Sequence, residues 1–329
     1  MVGRMNRTRR PYALAATAAL VAAPLLAAPA DAAPVAATAP DISLSGVQGH
    51  VSALQQIADA NGGNRAVGTP GFQRSLDYVK GKLEGAGLTT TVQEVPTSRG
   101  TTYNVVAEVP GSDPSGVVML GSHLDGASAG PGINDNASGT AGVLETALTY
   151  AASGEKPRNT LRFAFWGAEE IGLVGSSYYV GSLTSAERSR IKAYVNADMI
   201  GSVNPGYFVY DDNPAGTFVR DDLTSLMSAE GVPTEYVDVQ GRSDHAAFLR
   251  YGIPTGGLYS GGAEPKSAAQ ANSWGGTAGA SFDPCYHRSC DDSSNIDPTA
   301  LDRHSDVLGG ILWKYAGQDF TTSAQRPAA

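Results

Sequence analysis

The sequence predicts an α/β fold: a single domain in which a mainly parallel, mixed β-sheet is sandwiched between helices in three layers. Three observations carry this expectation. Apolar runs at Val117–Gly121, Thr160–Gly167 and Ile191–Ala197 have the length and continuity of strands buried on both faces. Stretches with helical spacing alternate with the strands, as crossovers between parallel strands require. Each run also leads into a residue that can bind metal or move protons: His123, the pair Glu169-Glu170, and Asp198. Open α/β folds keep their chemistry at the carboxyl ends of the strands.

Along the chain, Leu44, Val47, Val51, Leu54 and Ile57 recur at helical spacing, and Asn61-Gly62-Gly63 stops the pattern. A second helix is expected over Gly71–Glu84, with Leu76, Val79 and Leu83 facing inward. Strands follow at Leu88–Val95, Asn104–Val109 and Val117–Gly121. The helix after Asp135 spans Ala137–Ala151, with Val143, Leu144 and Leu148 on one face. Further helices are expected at Pro214–Glu230, Asp244–Tyr251 and Pro298–Tyr315, and residues 319–329 form a disordered tail.

The chain has 329 residues and can bury a sizeable core without metals or disulfides. Residues 1–32 read as a signal peptide. Arg4, Arg7, Arg9 and Arg10 precede an Ala/Leu/Val run that closes on small residues, too short for a membrane span. Thr8-Arg9-Arg10 also resembles a twin-arginine leader, so export is expected by that route or the general secretory one. Residues 33–38 are expected to form a short spacer or pro-segment, and the catalytic domain is expected over 39–318. The leader and spacer hold four arginines and Asp31, a net +3 within a total of −9, which leaves −12 for the rest. Such an acidic protein is a poor partner for nucleic acid or anionic membrane. In an exported chain the two cysteines, Cys285 and Cys290, are expected to pair as a disulfide that stiffens Tyr286, His287, Arg288 and Ser289 between them.

The stretch G-S-H-L-D-G-A-S-A-G-P-G-I-N-D-N at 121–136 organises the candidate site. Its strand ends on His123 and Asp125, and its loop returns Asp135 just ahead of a helix. Adding Glu169-Glu170, Asp198 and His287 gives two histidines, three carboxylate ligands and one spare carboxylate. That set exceeds one zinc site and suits two ions sharing a bridging carboxylate. Adjacent carboxylates repel unless a cation or proton intervenes. One of the pair can therefore ligate while its neighbour handles protons, and hydrolysis is the expected reaction. His50 and His304 read as solvated or capping residues, and His245 as a helix cap or pocket wall. The pairs Asp211-Asp212, Asp221-Asp222 and Asp291-Asp292 read as largely solvated, Asp291 excepted.

Several motifs together make the chain resemble the secreted bacterial double-zinc aminopeptidases of the leucyl, Streptomyces type. They are G-S-H-L-D (121–125), G-I-N-D-N-A-S-G (132–139), F-W-G-A-E-E-I-G-L-V-G-S (165–176), N-A-D-M-I-G (196–201), G-R-S-D-H (241–245) and C-Y-H-R-S-C-D-D (285–292). The resemblance covers roughly Ala39 to Gln318. It implies His123 and Asp198 on one zinc, Glu170 and His287 on the other, and Asp135 between them, with a shared hydroxide as nucleophile. Glu169 would be the general base and acid, Tyr286 the donor to the oxyanion, and Arg242 a substrate contact. Asp125 would orient His123, and Asp291 would orient His287. A cis peptide is implied at Asp135-Asn136.

The resemblance further implies a calcium site from Asp41, the Ile42 carbonyl, Asp302 and Asp306. Substrates are expected to be peptides with a free N-terminus, preferably a large hydrophobic residue, with Met199, Phe248 and Tyr259 as pocket walls. The protein is expected to be a secreted monomer. Two alternatives share the fold: a carboxypeptidase that clamps a C-terminal carboxylate through Arg242, and a glutaminyl cyclase that uses one zinc.

Overall fold

The computed structural model describes residues 1–3 and 39–321. The leader and spacer therefore lie outside the described residues, apart from the first three, as do residues 322–329 of the tail. Eight strands form one sheet: β1 (Thr89–Thr97), β2 (Gly100–Val109), β3 (Asp113–His123), β4 (Asn159–Trp166), β5 (Ile191–Ala197), β6 (Phe208–Tyr210), β7 (Glu235–Val237) and β8 (Thr255–Tyr259). Their order is β1-β2-β4-β3-β5-β8-β6-β7. The centre, β4-β3-β5-β8, is parallel, β2 joins it antiparallel through β4, and β6 joins antiparallel through β8.

Side-chain alternation along the strands divides the core between the two faces of the sheet. On one face, Val118 and Leu120 of β3 and Phe163 and Phe165 of β4 belong to a cluster with five helices. These are α1 (Leu44–Ala60), α2 (Pro70–Gly85), α3 (Gly139–Ser153), the helix Thr217–Ala229 and the last helix, Pro298–Gly317. On the other face, Met119, Trp166 and Tyr194 pack with Tyr179 and Phe248. Those two come from α4 (Val174–Ser182) and from the short helix His245–Leu249. Side-chain caps start the helices where the sequence changes from loop to periodic pattern. Ser43 accepts the Gly46 amide ahead of α1, and Thr69 accepts the Phe72 amide with Pro70 in the first turn of α2.

Three strands escaped the periodicity, β6, β7 and β8. Two are three residues long, and β8 carries Gly256 and Gly257, so neither length nor alternation marks them. A Cβ on Gly257 would come within 2.4 Å of the Tyr210 ring, so β8 needs glycine there to pair with β6. Helix α4 was missed as well, as were α5 (Ser185–Arg190) and the helix Ala268–Trp274. The expected disorder from residue 319 is corrected at Phe320, whose ring packs 5.5 Å from Tyr315 and 6.2 Å from Phe218. Among the described residues no helix is long and apolar enough to cross a membrane.

Candidate metal centre

Three adjacent strands, β4, β3 and β5, deliver the central residues. His123 is the last residue of β3 and pairs in register with Trp166, the last of β4. Asp198 directly follows β5, and Glu169 and Glu170 follow β4 after a tight turn. Neighbouring strands lie about 4.8 Å apart, so residues at three adjacent strand ends fall within reach of one ion or an ion pair. The turns are sharpened by left-handed backbone at Ala168 (φ 63°), Met199 (φ 55°) and His287 itself (φ 56°). Non-glycine residues rarely adopt this conformation, and it aims the flanking carboxylates and the imidazole inward.

Asp135 sits at the centre of the cluster. Its Oδ1 is 3.2 Å from His123 Nε2, and its Oδ2 is 3.1 Å from His287 Nε2. Asp198 Oδ1 lies 3.4 Å from His123 Nε2, and Glu170 Oε2 lies 3.0 Å from His287 Nε2. Two groups of ligand atoms thus converge, His123-Asp135-Asp198 and Asp135-Glu170-His287, with Asp135 in both. Glu170 Oε1 and Asp198 Oδ1 are buried without a hydrogen-bond partner. Such orphaned carboxylate oxygens, in a cluster that also holds two imidazoles, fit divalent cations of the zinc type.

The protonation behaviour reflects this crowding. Burial alone would depress the His123 imidazole, but the Asp198 and Glu169 carboxylates outweigh it and lift it well above its usual value. Burial raises the Glu169 carboxyl well above the usual range. His123 pulls it back, and Asp244 and Asp198 push it further up. Burial raises the Tyr286 hydroxyl too, helped by the negative field of Asp135 and Asp198. It remains a neutral O–H donor at any ordinary pH. A carboxyl that holds its proton more tightly than usual, beside a phenolic donor, can serve proton transfer to and from a reacting group.

The supporting contacts differ from expectation in two places. The Asp125 carboxylate stands 3.7 Å from His123 Nδ1, and it is the Asp125 carbonyl that meets this nitrogen at 3.1 Å. The carboxylate instead accepts the Glu169 amide at 3.1 Å and the Glu170 amide at 3.4 Å, which secures the loop that bears the pair. Asp291 does not orient His287. Its Oδ1 accepts the Asn134 amide and Asn295 Nδ2, and its Oδ2 accepts the Asp135 amide. Cys285 and Cys290 are joined in a disulfide with a Cα–Cα distance of 5.3 Å, and between them Tyr286 stacks on His287. The Asp135-Asn136 peptide is cis.

A cavity of about 300 Å³ opens over the cluster. Besides the cluster it is lined by Gly172, Leu173, Met199, Arg242 and Tyr286. Met199 is therefore a wall. Phe248 is not, being stacked on Tyr194 in the core at 3.8 Å, and Tyr259 is directed toward Glu264. Leu173 is a wall that periodicity could not reveal, because it sits in a turn with φ 56°.

The remaining histidines are buried, not solvated. His50 lies between Tyr78 and Glu145, His304 donates to the Ala300 carbonyl, and His245 meets Asp212 at 2.7 Å. Asp212 is thus a buried partner rather than a solvated acid, and Asp222 accepts from the Tyr315 hydroxyl at 2.8 Å. Asp306 Oδ1 accepts the Ile42 amide at 2.7 Å. Burial, with Asp41 and Asp302 nearby, raises the Asp306 carboxyl to about 6. Among the described residues two groups of His, Asp and Glu side chains converge within ligand distance, both around Asp135.

An open α/β sheet with histidines and carboxylates converging at its carboxyl end defines a metal-dependent hydrolase. Residues 104–312 match Peptidase family M28, and the chain belongs to that family. It is 51% identical over 322 residues to leupeptin-inactivating enzyme 1 of Streptomyces exfoliatus, covering 95% of this chain and 70% of that protein. It is 44% identical over 229 residues to an aminopeptidase of Pseudomonas aeruginosa, covering 67% of this chain but only 42% of that longer protein. The fold matches that of BSAP, a zinc aminopeptidase from Bacillus subtilis, with a TM-score of 0.70 at 16% identity. That match covers 85% of this chain and 97% of the Bacillus one.

Proposed function

We propose that this chain is a secreted dinuclear zinc aminopeptidase that removes a large hydrophobic, leucine-like residue from the N-terminus of peptides. The observation that carries the reading is Asp135, whose two oxygens face two different histidines, each backed by a further carboxylate. His123 and Asp198 would hold one zinc, Glu170 and His287 the other, and Asp135 would bridge them. Zinc held there would supply Lewis acidity and would bring the pKa of a water it binds toward about 7.

The chain's own residues do the rest. Glu169 takes the proton of the attacking water and delivers it to the amine of the leaving peptide, a task that suits a carboxyl raised by burial. The Tyr286 hydroxyl donates to the developing oxyanion. Glu169 and Asp198 line the cavity where the substrate ammonium binds, Arg242 borders the substrate backbone, and Leu173 and Met199 offer apolar wall to its side chain. Relatives named leucine aminopeptidase 2, 39–40% identical, support a hydrophobic preference.

The leader over residues 1–32, a domain over 39–318 acting as a monomer, and a calcium ion held by Asp41, the Ile42 carbonyl, Asp302 and Asp306 complete the reading. A panel of aminoacyl amides, with and without chelator, tests it. Leucyl amide should be cleaved only with metal present, and N-acetylated substrates should be refused. Cleavage of N-acetylated peptides that keep a free C-terminal carboxylate would point to the carboxypeptidase alternative.

A further inference from the structure

The metal cluster borders a second cavity besides the one that would take the N-terminal residue. It has a volume of about 220 Å³, and Ala66, Val67, Arg99, Asp125, Gly126 and Ser128 are among the residues that line it. Glu170 and His287 line this cavity too, so they form the wall it shares with the first. Arg99 is its one lysine or arginine, and it comes from the turn between β1 and β2.

The turn is fixed while the side chain is not. Thr97 Oγ1 accepts the Arg99 amide at 3.0 Å and donates to the Gly100 carbonyl at 2.7 Å, and Gly100 takes the φ of 106° that closes the hairpin. Among the described residues no hydrogen bond or ion pair engages the Arg99 guanidinium. A planar guanidinium with free donors is suited to a carboxylate.

We infer that this second cavity holds the leaving side of the peptide and that Arg99 recognises the C-terminal carboxylate of short substrates. The inference rests on the aminopeptidase reading above. If the ammonium and first side chain occupy the cavity of Glu169, Asp198 and Met199, the scissile bond lies over the cluster, and the chain continues past Glu170 and His287. A space of this volume is roughly 7 Å across, and an extended chain advances about 3.3–3.6 Å per residue. Two residues beyond the scissile bond therefore bring a tripeptide's terminal carboxylate to the far wall. Longer peptides carry an uncharged amide there and gain nothing from Arg99.

The test compares Leu-Ala-Ala with its C-terminal amide on the zinc-loaded enzyme. The free acid should be favoured about fivefold in kcat/KM, through KM, the size expected of a solvent-accessible ion pair. In Arg99→Gln the ratio should fall to near one, in Arg99→Glu it should fall below one, and Arg99→Lys should keep most of it. A wild-type ratio of one, or a ratio unchanged in Arg99→Gln, overturns the inference while leaving the aminopeptidase reading intact. Failure of the wild type to release leucine from either peptide overturns that reading and the inference with it.

Discussion

Asp291 Oδ2 accepts the backbone amide of Asp135 at 3.0 Å, so the residue that faces both histidines is held from behind by a carboxylate just beyond the disulfide loop. The contact ties the strand-end loop to the segment that carries His287.

Replacing Asp291 by Ala would strip acceptors from the Asn134 and Asp135 amides and from Asn295 Nδ2, all buried. Unsatisfied buried donors cost about 1–3 kcal/mol each, so a loss on the order of 3 kcal/mol is expected in urea unfolding, together with reduced zinc retention. A loss under about 0.5 kcal/mol would show that Asp291 does not hold the loop.

Glu169→Gln keeps the shape of the side chain but cannot take up a proton. Turnover should fall by about 10²–10⁴ while metal content is unchanged. Metal analysis beside kinetics checks both halves, and wild-type turnover in the variant would remove Glu169 from the proton path.

Asp135 belongs to both ligand groups, whereas His287 belongs to one. Wild-type protein should bind about two zinc ions, His287→Ala about one, and Asp135→Ala neither tightly. Chelator should abolish activity and added zinc restore it. A single ion in the wild type would favour the cyclase alternative.

His304 is fully buried and stacked on Tyr207 at 5.2 Å. Burial lowers its pKa from 6.5 to about 4. The unfolded chain therefore binds a proton below pH 6.5 that the folded chain refuses. Stability from this residue is complete above pH 6.5, declines as pH falls, and levels off below 4, a change on the order of 3 kcal/mol. Urea midpoints from pH 7.5 to 4.5 should fall less steeply in His304→Phe than in wild type, and parallel slopes would refute the assignment.

Calcium should raise the thermal midpoint by at least about 2 °C if Asp41, Asp302 and Asp306 close on it. Asp306→Asn should abolish that rise. No response in the wild type would mean that the raised Asp306 carboxyl is met by a proton alone.

Much of the site was legible in the sequence, because strand ends are marked by where an apolar run stops. His123, Glu169, Glu170 and Asp198 each follow such a run, so their convergence follows from adjacent parallel strands. Asp125 meets His123 through its carbonyl rather than its carboxylate, and Asp291 accepts the Asn134 and Asp135 amides instead of meeting His287. A carboxylate's partner depends on which amide lies 3 Å away, and spacing does not encode that.

The order of patterns along the chain determined the fold class, the three central strands, the residues fit to bind metal and the pairing of two cysteines, since each depends on local periodicity or residue chemistry. The tertiary structure alone decided the burial of His50, His245 and His304, the short strands β6 to β8, the docking of Phe320 and the cavity beside Arg99. Each of these depends on contacts between segments far apart in the chain, and the free energy of such contacts is set by packing rather than by any local pattern.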